Sequence, residues 1–133
     1  MLAGCLLLGL AGCSADRGQG PVPVTWDRDA CEHCRMILSD RHYAAEVRLK
    51  AGEQAHEFDD FGCALTWLAE QPGGIDAAAE IWVLGTGDGR WLDARSAHYL
   101  TGQVTPMDYG LGAVAEAIPG SIDFSQARQV VRT

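Results

Sequence analysis

The sequence predicts an α+β fold, two small β-β-α(-β) lobes packed together, and three observations carry that expectation. Short apolar stretches recur along the chain, and the clearest of them alternates with polar residues at the two-residue period of a half-buried strand. Two stretches with helix-start residues separate these strands, one after Asp59-Asp60 and one from Ser121. Hydrophobic residues make up 47% of the 133 positions, enough for a compact core and too many for a disordered chain.

The first residues read as an address. Leu6 to Leu10 is apolar, and Leu10-Ala11-Gly12-Cys13 has the form of a bacterial lipobox, in which the cysteine thiol takes a diacylglycerol before cleavage. The run is too short to span a bilayer, so residues 1–12 are expected to be a lipoprotein signal peptide and Cys13 the lipidation site. Export and a membrane anchor follow from that expectation. Residues 13–23, rich in Gly and Pro, are expected to be a flexible tether. Residues 24–133 would form the folded part, with lobes at about 24–87 and 88–133.

Within the first lobe, Val24-Thr25-Trp26 is a candidate strand. Tyr43 to Lys50 follows, with Ala45, Val47 and Leu49 on one face and Glu46, Arg48 and Lys50 on the other. Ala51-Gly52-Glu53 makes a turn, and Gln54 to Phe58 returns as a hairpin partner. Asp59-Asp60 stands where a helix cap belongs; Phe61, Leu65 and Leu68 then share a helical stripe that Pro72-Gly73-Gly74 stops. Glu80 to Thr86 is a third strand. In the second lobe Trp91 to Asp93, Ala97 to Thr101 and Leu111 to Glu116 read as strands, and Ser121 to Val131 as a short capped helix.

Charge narrows the partners. A formal net charge of -8 argues against nucleic acid, whose phosphates would be repelled. Nothing in the chain has the spacing of a nucleophile–base pair, a phosphate-binding glycine loop or a carboxylate dyad, so an enzyme is not expected.

The chemistry lies in two loops. Cys31-Glu32-His33-Cys34-Arg35-Met36 holds two thiols, an imidazole and a thioether in six residues. With Cys5 removed and Cys13 acylated, Cys31, Cys34 and Cys63 remain, an odd number that cannot form a closed set of disulfides within one chain. Three alternatives fit. A zinc-bearing structural adaptor would need four Cys/His-type donors, and no second paired motif supplies them. A periplasmic thiol-disulfide module could use Cys31 and Cys34, but it would want the pair opening a helix within a βαβ unit. Cu(I) suits the residue types best, because a soft ion accepts thiolate and thioether at low coordination number. Met107, in Thr105-Pro106-Met107-Asp108-Tyr109-Gly110, is a second loop methionine that such a site could recruit.

Other residues are less committed. Asp59 and Asp60 are most simply helix caps, with Asp60 a second-tier ligand. Cys63 reads as a small buried hydrophobe whose position in the first helical turn favours thiolate. Cys31, His33 and His98 are second-tier ligands, and His98 is more simply a strand-face residue.

Taken together, the lipobox, the tether, D-x-C-x-x-C-x-M, the F-D-D-F-G-C-A-L-T-W-L junction and D-A-R-S-A-H-Y-L with T-P-M-D-Y-G-L-G-A resemble the NosL family of nitrous oxide reductase accessory lipoproteins. The resemblance covers almost the whole mature chain. It implies a NosL-like fold of two related lobes in a periplasmic, lipid-anchored Cu(I) chaperone. The ion would go toward nitrous oxide reductase, with help from a membrane ABC-type maturation complex. By motif position the resemblance makes Cys34, Met36 and Met107 the copper ligands. The family usually has Gly where this chain has Arg35 and Asp108. Asp108 adds an oxygen that a second, harder metal ion could use.

Overall fold

Ala45–Arg48 forms the first strand (β1), pairing antiparallel with His56–Phe58 (β2) in the register Glu46 opposite Glu57. These coordinates come from a computed structural model that describes residues 16–132, so the expected signal peptide and Cys13 lie outside the described residues. Glu80–Leu84 (β3) lies on the other side of β1, and Trp91–Asp93 (β4) pairs with β3, giving an antiparallel sheet in the order β2-β1-β3-β4. β4 lies beyond residue 87, so the larger sheet draws on both halves of the chain. His98–Leu100 (β5) and Gly112–Val114 (β6) form a separate two-stranded antiparallel sheet.

The helix after β2 starts and stops where the sequence indicates. Phe61–Ala69 (α1) has Asp60 as its N-cap, in extended conformation, and Gly73 and Gly74 take left-handed conformations just beyond it. Phe61, Ala64, Leu65 and Leu68 of α1 are buried with Leu38, Val47, Phe58, Ile81 and Val83, which places the core between α1 and the larger sheet. Phe124–Arg132 (α2) begins after a reciprocal cap: Asp123 Oδ1 accepts from the Gln126 N–H at 2.8 Å, and Gln126 Oε1 accepts from the Asp123 N–H at 2.9 Å. The Phe61 ring stacks on Tyr99 of β5 at 5.0 Å, joining α1 to the smaller sheet. Mixed helix and sheet in this order is the expected α+β class, and no helix among the described residues is long and apolar enough to cross a membrane.

Two local expectations differ from the structure. Val24-Thr25-Trp26 is not a strand; Trp26 enters a turn in which Asp29 N–H bonds to the Thr25 carbonyl at 2.9 Å. β1 is buried on both faces, with Glu46 and Arg48 at 0% and 1% exposure. The cover on the polar face is residues 16–23, which lie across it. Asp16 meets Arg48 at 2.9 Å, Gly20 N–H meets Glu80 at 2.7 Å, and Val22 N–H meets Glu46 Oε1 at 2.7 Å.

Candidate metal centre

The site starts from a tight turn. Ala30 and Ile37 form an antiparallel bridge, and the Cys31 N–H donates to the Met36 carbonyl at 2.8 Å. Closing so short a loop requires left-handed backbone, which Arg35 provides at φ +68°, a conformation glycine adopts at less cost. The turn aims the Cys34 N–H at the Cys31 sulfur, 3.4 Å away.

The second half of the site is the junction of β2 with α1. The two aspartates there divide the work that sequence alone assigned to both. Asp60 is the cap, its Oδ1 accepting from the Gly62 N–H at 3.0 Å. Asp59 turns toward the cysteine loop, where Cys34 Sγ donates to its Oδ1 at 3.3 Å. Cys63, in the first turn of α1, completes the group: the sulfurs of Cys31, Cys34 and Cys63 and a carboxylate oxygen of Asp59 lie within 4.8 Å of one another. Cys31 and Cys63 are buried and Cys34 is half-buried, so the group is reached from the Cys34 side.

Hydrogen bonding decides where the protons sit. Cys63 S–H donates to the Cys31 sulfur, and backbone N–H groups of Cys34, Asp59 and His33 do the same, holding the Cys31 thiol down at about 4 despite its burial. Cys63 is pushed up because its proton is committed to Cys31, with burial adding to the effect. Burial raises Cys34 to about 12. Burial first, and then the Cys31 thiolate, raises Asp59 to about 6. The resting cluster is one thiolate among two protonated thiols, which a soft cation can convert to sulfur ligands by displacing protons.

The other loop is fastened to the same helix end. Asp60 Oδ2 accepts from the Met107 N–H at 2.9 Å, so one carboxylate caps α1 and anchors the 105–110 loop. Tyr109 lies across Gly62, where an added Cβ would sit 1.9 Å from the ring, and its hydroxyl is 3.2 Å from Thr66 Oγ1. Asp108 takes φ +62°, the second left-handed residue beside a loop methionine. The Met36 and Met107 side chains remain exposed, at 57% and 40%.

Among the His, Cys, Asp and Glu side chains of the described residues, Cys31, Cys34, Asp59 and Cys63 form a group able to converge on one ion. Cys31 and Cys34 are legible from C-x-x-C spacing; Cys63 reads most simply as a buried hydrophobe and Asp59 as a cap, although the sequence leaves room for one of the two aspartates to face a metal. His33 contributes its backbone N–H to Cys31, and His98 sits on β5 opposite Val114. Both oxygens of Asp60 are engaged with backbone N–H groups.

Fold and site together define a small α+β domain with a thiol-rich candidate metal centre at a helix N-terminus. No protein-family model matches the chain, and no curated protein sequence matches it. Among solved structures it is similar to the crystal structure of the copper chaperone NosL from Shewanella denitrificans, with a TM-score of 0.61, 16% identity, and coverage of 84% of this chain and 86% of that one. The fold is therefore NosL-like.

Proposed function

We propose that this protein is a lipid-anchored, periplasm-facing Cu(I) chaperone that passes copper on for maturation of nitrous oxide reductase. The observation that carries the reading is the convergence of three thiols and one carboxylate within 4.8 Å, in a fold similar to that of a copper chaperone. Cys34 is the central ligand, as the half-exposed member of the cluster and the motif cysteine. Met36 and Met107 supply thioethers from the loops on either side, and Cys31 and Cys63 stand behind with further sulfur. Low-coordinate sulfur from exposed loops holds Cu(I) tightly and still lets an acceptor thiol or thioether displace one donor at a time. The acceptor is nitrous oxide reductase or its membrane ABC-type maturation complex, and lipid on Cys13 keeps the donor near the membrane.

Titration of the reduced protein against a competing Cu(I) chelator tests this. The wild type should retain one tightly held Cu(I), and Met36→Leu with Met107→Leu should weaken it greatly. Unchanged retention in the double variant removes the thioethers from the site, and no retention by the wild type removes the chaperone. A second reading draws on the same donors: three thiols and a carboxylate also match tetrahedral structural zinc. Under that reading, stripping the metal with a chelator unfolds the domain, whereas the chaperone stays folded when empty.

A further inference from the structure

Residues 16–23, expected to belong to a flexible tether, are bound to the domain along their length. Asp16 accepts from the Ala55 N–H at 2.7 Å and meets Arg48 at 2.9 Å. The Gly18 carbonyl accepts from the Gly52 N–H at 2.9 Å, the Gly20 N–H meets Glu80, and the Val22 N–H meets Glu46. We propose that this strap orients the lipid-anchored domain: the face around residues 50–54 lies against lipid headgroups, and the metal loops point away from the bilayer. The proposal rests on the lipid anchor of the reading above, and not on the identity of the metal or of the acceptor.

Chain length makes the strap decisive. A lipid on Cys13 followed by a free tether through residue 23 would give the domain a reach of about 36 Å at full extension. A domain of this size is about 35 Å across, so any of its faces could then meet the membrane. With the strap in place, residues 13–15 alone separate lipid from domain, and they span at most about 10 Å. The domain therefore pivots close to Asp16, and its far side stays out of reach of the lipid.

The metal centre is on that far side. Asp16 is bonded to Ala55, just before β2, and Asp59 stands just after β2. Four residues of extended chain put about 13 Å between those two ends. The contacts of the strap advance the same way, from Gly52 in the turn, past Arg48, to Glu46 of β1. The chain thus enters at the end of the sheet away from Cys34. Charge agrees with this orientation. Arg17 and Lys50 are exposed at the entry beside Glu53, and Asp16 is paired with Arg48, so two exposed cations stand against one exposed acid in a chain of net charge -8. Anionic headgroups favour such a face over the rest of an acidic surface.

The test uses the protein exported and lipidated from its full chain, in phosphatidylethanolamine–phosphatidylglycerol nanodiscs with a gadolinium chelate on a fraction of the headgroups. Amide relaxation is read by NMR on the isotope-labelled protein. Enhancement falls with the sixth power of distance, so amides of Arg17 and Lys50–Gln54 should relax at least about tenfold faster than those of Cys34–Met36 and Met107. Ten Gly/Ser residues inserted between Ser14 and Ala15 add about 33 Å of reach without touching the fold, and should erase the contrast. Even enhancement in the wild type, or enhancement strongest at the metal loops, overturns the proposal. A contrast that survives the insertion also overturns it, because the strap then does not set the orientation. Mass spectrometry that finds no lipid on Cys13 removes the anchor, and with it both this proposal and the anchored part of the reading above. Cu(I) retention is measured on the same sample: its absence with the contrast intact sinks the chaperone and spares the strap.

Discussion

Two regions bury polar side chains, and they do so in opposite ways. Under residues 16–23, Arg48 is 1% exposed with its guanidinium fully engaged. Nε meets Glu80 at 2.8 Å, the terminal nitrogens meet Asp16 at 2.9 Å and the Gly20 carbonyl at 2.7 Å, and the Glu53 carbonyl takes a further bond. The cation also holds the Asp16 carboxyl down at about 2. At the thiol cluster the protein does not complete the set. Hydrogen bonding holds one thiol low, and burial with neighbouring sulfur raises two thiols and a carboxyl. A buried charge that the chain saturates with its own donors and acceptors is architecture. A buried group whose protons can be exchanged for a metal is a site.

The comparison breaks first at its structural end. Arg48→Met leaves Asp16, Glu80 and two carbonyls without their cation, and should cost about 3 kcal/mol of stability in denaturant unfolding. Its Cu(I) retention should match the wild type. Cys34→Ser should do the reverse: the residue is half-buried, so stability stays within about 1 kcal/mol, while chelator competition shows Cu(I) held far less tightly. If Arg48→Met lost copper as readily as Cys34→Ser, the two regions would be one energetic unit and the distinction would fail.

A smaller effect probes the link between the loops. Gly62→Ala places a methyl inside the Tyr109 ring, so the ring must move, at roughly 1–3 kcal/mol. The 105–110 loop should then loosen from the helix end, and the Met107 amide should lose hydrogen-exchange protection as its bond to Asp60 weakens. Protection unchanged from the wild type would mean that Asp60 alone fastens the loop.

What the sequence disclosed follows the range of the interactions involved. α1 was legible because its cap, its stripe and its terminating glycines are neighbours in the chain. β1 was legible from alternation, β2 from the turn at 51–53 and β3 from its apolar run. The Cys31/Cys34 half of the cluster is a local motif, and spacing found it. Cys63 was harder: a cysteine in an apolar helical turn looks the same whether it packs against carbon or sulfur, and only the fold brings the 31–36 turn to it. The odd thiol count was the available signal. Asp59 and Asp60 are adjacent and chemically identical, and alternation of side-chain direction separates their roles. Residues 16–23 have the composition of a linker, and their order comes from Arg48, Glu46 and Glu80, far along the chain.

The polar region also answers to pH. Burial raises the Glu46 carboxyl to about 7, with the Val22 N–H and Arg48 opposing the shift, and its Oε2 has no hydrogen-bond partner among the described residues. Between its ordinary value near 4.5 and about 7 the folded state binds more protons than the unfolded state, so stability falls as pH rises through that window. Glu46→Gln removes the titration. Wild type should lose stability relative to the variant from about pH 4.5 to about pH 7, by up to about 1.4 kcal/mol per pH unit, and the difference should be flat above that. Parallel curves for the two proteins would show that this carboxyl stays ionised in the fold.

The smallest effect belongs to the turn that makes the site. Arg35 holds φ +68° between Cys34 and Met36, a conformation that costs a residue with a Cβ about 1 kcal/mol. Arg35→Gly removes that strain but adds conformational freedom to the unfolded chain, which takes back roughly 0.5–1 kcal/mol. Thermal unfolding should therefore shift very little. The Cys31 N–H to Met36 carbonyl bond needs only the backbone conformation, so the turn and its sulfur positions should survive in the variant. Copper retention separates the two remaining roles for the side chain. Equal retention makes Arg35 a tolerated occupant of a glycine-type position. Weaker retention at unchanged stability means the guanidinium acts on the thiolate through its charge, and the site would then share with Arg48 a dependence on a fixed cation.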